Sequence, residues 1–217
     1  MNIKILLADD HKIVRDGLRV LLEKEEGMEV VAEAEDGRTT VRLARELLPD
    51  VIIMDIGMPH LNGIDATRQI LSELPNVKII ALSMHSDRRF VAQMFKSGAS
   101  GYLLKDCAFE ELSRALRSVL SNQIYLSPAI AGPVMEDYVR HLSKGDPSSF
   151  SVLTAREREI VQLLAEGMTT KQIAASLHVS IKTVETHRQQ IMNKLNIHSM
   201  ADLIKFAIRE GLTSLDS

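Results

Sequence analysis

The chain has 217 residues, 45% of them hydrophobic and 25% charged, which suits one large or two small globular domains and excludes intrinsic disorder. A single cysteine, Cys107, excludes an internal disulfide and a cysteine metal cluster. The 26 basic and 29 acidic residues give a net charge of −3, which at face value disfavours nucleic-acid binding, since such binding draws on positive charge.

No apolar run approaches the roughly 18 residues a membrane helix needs. The first ten residues lack a signal-peptide layout, because their apolar run meets two aspartates.

The first 120 residues alternate in type. Apolar, β-rich runs fall at 3–8, 28–34, 51–54, 77–83 and 100–104. Between them lie helical patterns. Val14, Leu18, Leu21 and Leu22 carry the first, and 37–47, 63–74, 87–97 and 108–120 hold the others. Five strand–helix units in alternation predict an α/β domain with a parallel sheet. The strands lack polar alternation, as expected for a sheet covered on both faces.

Residues 122–150 change character. Pro128, Gly132, Pro133, Gly145 and Pro147 mark a linker, with a short helix over about 134–142. From 151 onward only helical signals recur. Thr154 with Glu157, and Thr169 with Gln172, form capping-box patterns. Gly167 ends the first helix, a break at 178–180 separates the second from a longer helix over 181–195, and a last helix over 200–209 stops at Gly211.

Parallel α/β sheets place ligand sites at the C-terminal ends of their strands. Here those ends carry Asp9 and Asp10, Asp55, Ser83 and Lys105. Any one of these aspartates alone reads as a turn former or helix cap. The whole set reads differently. Clustered carboxylates need a cation, and all-oxygen ligation suits magnesium. A carboxylate can attack phosphorus and form an acyl phosphate, while a lysine and a hydroxyl hold the phosphoryl oxygens.

"ILLADDH" at 5–11, "DVIIMDIGMPHLNG" at 50–63, "IIALSMH" at 79–85 and "SGASGYLLKD" at 97–106 resemble a receiver domain of a two-component response regulator. The resemblance implies a flavodoxin-like α/β fold, a five-stranded parallel sheet of order 2-1-3-4-5, over residues 1–121. It implies Asp55 as phosphoacceptor. It implies Mg2+ (or Mn2+) held by Asp10, Asp55 and the Gly57 carbonyl, with Asp9 supporting. Ser83 and Lys105 would contact the phosphoryl group, and Tyr102 would be the aromatic switch, its bland alternative being simple strand filling. Asp106 stands where many receivers have proline. His85 would point at the phosphoryl group and tune its lifetime, its bland alternative being an exposed histidine that opens a loop.

Residues 170–195 read as helix, tight turn, helix, a shape shared by DNA readers and by many small helical cores. On the second helix Val184, Ile191 and Leu195 share one face, with Lys182, Thr186, Gln189 and Asn193 opposite. The string at 153–212, beginning "LTAREREIVQLLAEGMTTKQIAASLHVS", resembles the LuxR-type DNA-binding domain, an all-α four-helix helix-turn-helix over 151–217. With the receiver ahead of it, the chain resembles a NarL/FixJ-family response regulator.

That resemblance implies base contacts from Glu185, Thr186 and Gln189. It implies backbone contacts from Lys171, Lys182, Thr183, His187, Arg188 and Lys194, although His187 and Arg188 lie near the buried edge of the helix. Ala201, Ile204, Lys205 and Ile208 resemble the family's dimerisation helix, or else close the core.

The implied protein is a cytoplasmic transcription regulator and not a turnover enzyme. Its partners would be a sensor histidine kinase, double-stranded DNA and, once phosphorylated, a second copy, with no membrane involved. A phosphorylation-independent regulator is the alternative. An aspartyl-phosphate phosphatase of the haloacid dehalogenase type is disfavoured by Gly57, where that chemistry needs a second Asp. Divided by segment, the acidity belongs to residues 1–150. Residues 151–217 hold eight basic and seven acidic residues, so the net charge does not argue against DNA.

Overall fold

The computed structural model describes residues 2–84, 88–106, 109–142 and 153–213. These fall into two compact units, Met1–Gly145 and Asp146–Ser217.

Unit one alternates strands and helices: β1 (Ile3–Ala8), α1 (Lys12–Leu22), β2 (Met28–Ala34), α2 (Gly37–Leu47), β3 (Val51–Asp55), α3 (Gly63–Glu73), β4 (Lys78–Ser83), α4 (Arg88–Lys96), β5 (Gly101–Leu104) and α5 (Phe109–Leu120). Two further elements follow, β6 (Tyr125–Leu126) and α6 (Pro128–Leu142). All strand pairs are parallel, and the order is β2-β1-β3-β4-β5-β6.

Side chains alternate between the two faces of a strand. Ile5, Leu7, Ile53, Ile80 and Leu103 therefore pack with Leu112, Leu116 and Val119 of α5 and Leu22 of α1. Leu6, Ala8, Ile52, Met54 and Ala81 pack on the other side with side chains of α2, α3 and α4. Burial on both faces is why each strand reads as a continuous apolar run.

The sheet has a sixth strand beyond the expected five. Two residues are too few to carry a periodic signal. What fixes β6 is the edge of β5: Tyr125 N–H donates to Ser100 O at 3.0 Å and Ser127 N–H to Tyr102 O at 3.0 Å. Helix α6 begins at Pro128, earlier than the sequence pattern suggested. Proline is tolerated in a first turn, where its missing N–H has no partner to lose. Gly132 and Pro133 read as breakers in isolation, but Ile130 and Val134 pack into the core against the α4 side of the sheet, and that burial outweighs the local propensity. Ile130→Ala is expected to lower the stability of unit one by about 2–4 kcal/mol, measured by denaturant unfolding followed by circular dichroism. A segment merely tethering two domains would show no change.

Unit two comprises α7 (Ala155–Ala165), α8 (Thr170–Ser176), α9 (Ile181–Leu195) and α10 (Met200–Arg209). Both capping boxes form: Thr154 and Thr169 accept from the N–H groups of Glu157 and Gln172, whose side chains reach back. Ser180 and Ser199 cap α9 and α10. Ile160, Leu164, Ile173, Val184, Ile191 and Leu203 share one core. Among the described residues no helix is long and apolar enough to cross a membrane.

Candidate functional site

The C-terminal edge of the sheet gathers residues separated by up to 96 positions. Asp55 ends β3, Ser83 ends β4, Asp9 and Asp10 follow β1, and Lys105 follows β5. Register brings them level. Asp55 lies opposite Leu82, Ser83 opposite Leu104, and the Lys105 N–H donates to Ser83 O at 2.8 Å.

Lys105 is the hub. Its ammonium donates to Asp55 Oδ2 at 2.8 Å and lies 2.7 Å from Asp9 Oδ2. Asp55 Oδ1 accepts from the Gly57 N–H at 3.3 Å. Asp9, Asp55 and Ser83 are buried, and Asp10 is partly open. Burial pushes the Asp55 carboxyl up to about 6, and the charge of Asp9 adds to this, while Lys105 and the Gly57 N–H act against it. Burial alone would lower Lys105, but Asp55 and Asp9 hold it above the ordinary lysine value.

Gly63 permits this edge to close. Its N–H donates to Ile56 O at 2.9 Å, and a β-carbon there would stand 2.0 Å from Asp55 O. Only glycine lets the start of α3 approach the end of β3 so closely.

Asp9, Asp10, His11 and Asp55 present donor atoms that all lie within 4.8 Å of one another. Asp9 Oδ2 is ion-paired with Lys105, while Asp10 Oδ1 is a buried atom that accepts no hydrogen bond among the described residues. Three neighbouring carboxylates, one with an oxygen that accepts no hydrogen bond, suit a hard divalent cation, which takes carboxylates and water.

Two residues at this edge escaped the sequence reading. The Arg15 guanidinium, buried under α1, donates to Asp9 O at 2.6 Å and to Glu33 at 3.3 Å, and so fixes the backbone that carries the acid pair. His11 N–H donates to Asp9 Oδ1 at 2.8 Å, and its ring reaches the same carboxylates. No periodic pattern marks either residue; Arg15 stands beside Val14 in an otherwise ordinary amphipathic helix. Tyr102 is fully buried among the α4-side core residues. The peptide linking Lys105 to Asp106 is trans, as are all those described. His85 lies outside the described residues.

In unit two, α8 and α9 meet at a tight turn. His178 takes a left-handed φ of 54°, and Val179 N–H returns to Ala174 O at 3.0 Å. Lys171, on α8, is exposed, as are Lys182, Glu185, Thr186 and Gln189 on α9. Thr183, His187 and Arg188 are half-buried, and His187 Nδ1 is a buried atom with no hydrogen bond among the described residues. Thr183 Oγ1 is engaged with the cap Ser180 at 2.7 Å, and Gln189 donates to Asn193 at 3.2 Å.

Lys194, also exposed on α9, has a partner within the unit. Its ammonium bonds both oxygens of buried Glu157, at 2.7 and 2.8 Å, tying α9 to the capping box of α7. On α10, Ala201 and Lys205 are exposed and Ile204 and Ile208 half-buried, while Leu203, Phe206 and Ala207 fill the core.

Comparison with known proteins places these features in a family. Residues 5–117 match the response regulator receiver domain, and residues 151–207 match the bacterial regulatory proteins of the luxR family. The oxygen regulatory protein NreC of Staphylococcus epidermidis is 39% identical, over 96% of this chain and 98% of that protein. The transcriptional regulatory protein DegU of Brevibacillus brevis is 35% identical, over 97% and 94%. Among solved structures, the RcsB response regulator of Salmonella typhimurium superposes with a TM-score of 0.64 at 27% identity, over 96% of this chain and 98% of that one. RcsB has also been solved bound to promoter rprA with the phosphomimetic BeF3-, a structure 28% identical with a TM-score of 0.61, over 95% and 98%. A receiver fold with its acid pair, aspartate and lysine at one edge, followed by a capped helix-turn-helix and matched over nearly full length, leaves one assignment: the chain belongs to the NarL/FixJ-family response regulators, transcription regulators that join a receiver domain to a LuxR-type DNA-binding domain.

Proposed function

We propose that this response regulator is switched by phosphorylation of Asp55 and, once switched, dimerises and binds paired half-sites on double-stranded DNA. The observation that carries the reading is the Lys105 ammonium bridging Asp55 and Asp9 at the strand ends. A carboxylate oxygen of Asp55 attacks the phosphorus of a phosphohistidine on a partner kinase. The phosphorus–nitrogen bond breaks, and the leaving imidazole takes up a proton. Asp10, Asp55 and the Gly57 carbonyl would hold Mg2+ (or Mn2+), with Asp9 supporting; when bound, the cation supplies positive charge against the phosphoryl oxygens. Lys105 supplies a second positive charge, and the Ser83 hydroxyl a hydrogen bond.

Phosphorylation draws Ser83 and Lys105 toward the new group, and Tyr102 reports that shift to the α4 side of the sheet. The population then moves toward the dimerising form. In unit two, Glu185, Thr186 and Gln189 face base edges, and Lys171, Lys182, Thr183, His187 and Arg188 serve the backbone. Ala201, Ile204, Lys205 and Ile208 serve the dimer. The chain works in the cytoplasm as a regulator without turnover. Domain boundaries for this reading are 1–121 for the phosphoacceptor unit, 122–150 for the connecting segment, which carries β6 and α6, and 151–217 for the DNA reader.

The test is selection of bound genomic DNA with and without a small-molecule phosphodonor. Equal recovery of the same fragments in both arms would remove phosphorylation control.

Lys194 is assigned to structure in this reading, not to phosphate. Lys194→Met leaves Glu157 buried with only its Thr154 bonds, at an expected cost of about 1–3 kcal/mol. Glu157 is held below the ordinary carboxylate range: burial works to raise it, and Lys194 and Thr154 overcome that. A depressed carboxyl stabilises the fold above its unfolded pKa, and that contribution fades as pH falls through the lower folded value. Thermal melts of the full chain should therefore separate wild type from Lys194→Met at pH 7 and converge in acid. The slope of DNA affinity against salt should not change; a slope shallower by about one would return Lys194 to the phosphate contacts.

A further inference from the structure

The imidazole of His11 belongs to no motif role above, yet it sits inside the acid cluster. Its Nδ1 lies 3.2 Å from Asp9 Oδ1, with hydrogen-bond geometry, and 2.7 Å from Asp10 Oδ1, without it. Asp10 Oδ1 therefore stays unsatisfied despite the near nitrogen. The ring is mostly exposed, 57% of its side chain, so packing does not hold it against the carboxylates. As residue His11 precedes α1, it caps that helix with its backbone in an extended conformation and makes no side-chain cap bond. Its position is set by the acid pair.

We propose that His11 Nδ1 is a ligand of the cation site, making it a mixed nitrogen–oxygen site that prefers Mn2+ to Mg2+. The inference rests on the reading of the acidic pocket as a cation site. Donor atoms bound to one ion at about 2.1 Å lie at most about 4.2 Å apart. One donor atom from each of the four residues lies within 4.8 Å of the others, close to that limit, so a small adjustment of side chains suffices to set them around one ion. Ligation needs the Nδ1 lone pair. In the bound state the ring proton therefore sits on Nε2. Both ions favour oxygen, but magnesium dehydrates more reluctantly, so an imidazole nitrogen replaces a bound water more readily on Mn2+. A nitrogen in the set thus widens the preference for Mn2+ over Mg2+.

Untagged full-length protein is titrated with Mn2+ and, in competition, with Mg2+, and the Mn2+ complex is examined by pulsed electron paramagnetic resonance. The wild type should show coupling to a directly bound imidazole nitrogen, replaced by the 15N signature after histidine labelling. His11→Ala and His11→Gln should lose that coupling and weaken Mn2+ binding about tenfold, with a change under about threefold for Mg2+. Mn2+ bound by the wild type without nitrogen coupling would overturn the assignment while leaving the cation site standing. So would equal weakening of both ions in the His11 variants. Unchanged Mn2+ binding by Asp10→Asn would instead sink the cation reading of the pocket, and the role of His11 with it.

Discussion

Asp55→Asn is expected to abolish labelling by a phosphorylated histidine kinase or by acetyl phosphate, a loss of at least about a hundredfold. An amide oxygen is a poor nucleophile and cannot form the acyl phosphate. The same substitution should make the resting protein more stable near pH 7.5. Asp55 is pushed up to about 6 by burial and by Asp9, so its ionised form is the costly one. For a raised carboxyl the folded state binds the proton more tightly than the unfolded chain. Stability from this group is therefore full below its ordinary value near 3.8 and declines as pH rises through about 6. At pH 7.5 the wild type bears the whole cost, and asparagine removes it, by about 1–3 kcal/mol. Below pH 4 the two proteins should unfold alike. Loss of labelling together with a higher melting temperature separates a lost nucleophile from a broken fold. Undiminished labelling would take Asp55 out of its role.

The second large effect is expected on α9. Gln189→Ala should weaken binding to a selected operator by about 1–3 kcal/mol and relax the preference at one base position, because glutamine reads adenine through two hydrogen bonds. Its resting bond to Asn193 is 3.2 Å long and exposed, so releasing it costs little. Lys182→Ala should act differently. It should weaken specific and random duplexes alike and make the salt slope shallower by about one. Gel-shift titrations at three salt concentrations, on operator and random DNA, distinguish the two patterns. A Lys182 variant that changes base preference while keeping the slope would exchange the two roles. Eight basic against seven acidic residues in the reader also implies modest affinity per copy, which makes pairing of two copies the route to tight binding.

Much of this molecule is legible in its sequence. Runs such as IKILLA and VIIMD announce strands buried on both faces, and the spacing of Val14, Leu18, Leu21 and Leu22 announces a helix. Thr154 with Glu157 and Thr169 with Gln172 fix two helix starts. These are local signals, set by the period of the backbone and by the orphan N–H groups of a first turn. The types of residue at the strand ends were equally plain, because parallel strands of similar length deliver their C-terminal residues to one edge.

Other features were decided in three dimensions. β6 is two residues long and exists because β5 offers an open edge. α6 runs through Gly132 and Pro133 because Ile130 and Val134 find apolar partners in the core. Lys194 reads in the sequence as an exposed cation on α9, and its ammonium holds Glu157, 37 residues away. Arg15 and His11 look like ordinary helix-surface residues until the β1–α1 turn folds them onto Asp9. The sequence by itself determined the elements and the chemistry at each strand end, since both depend on neighbours a few residues apart. Only the tertiary structure decided which charge meets which, because a cation's partner is set by where burial leaves an unpaired carboxylate, and no periodicity encodes that.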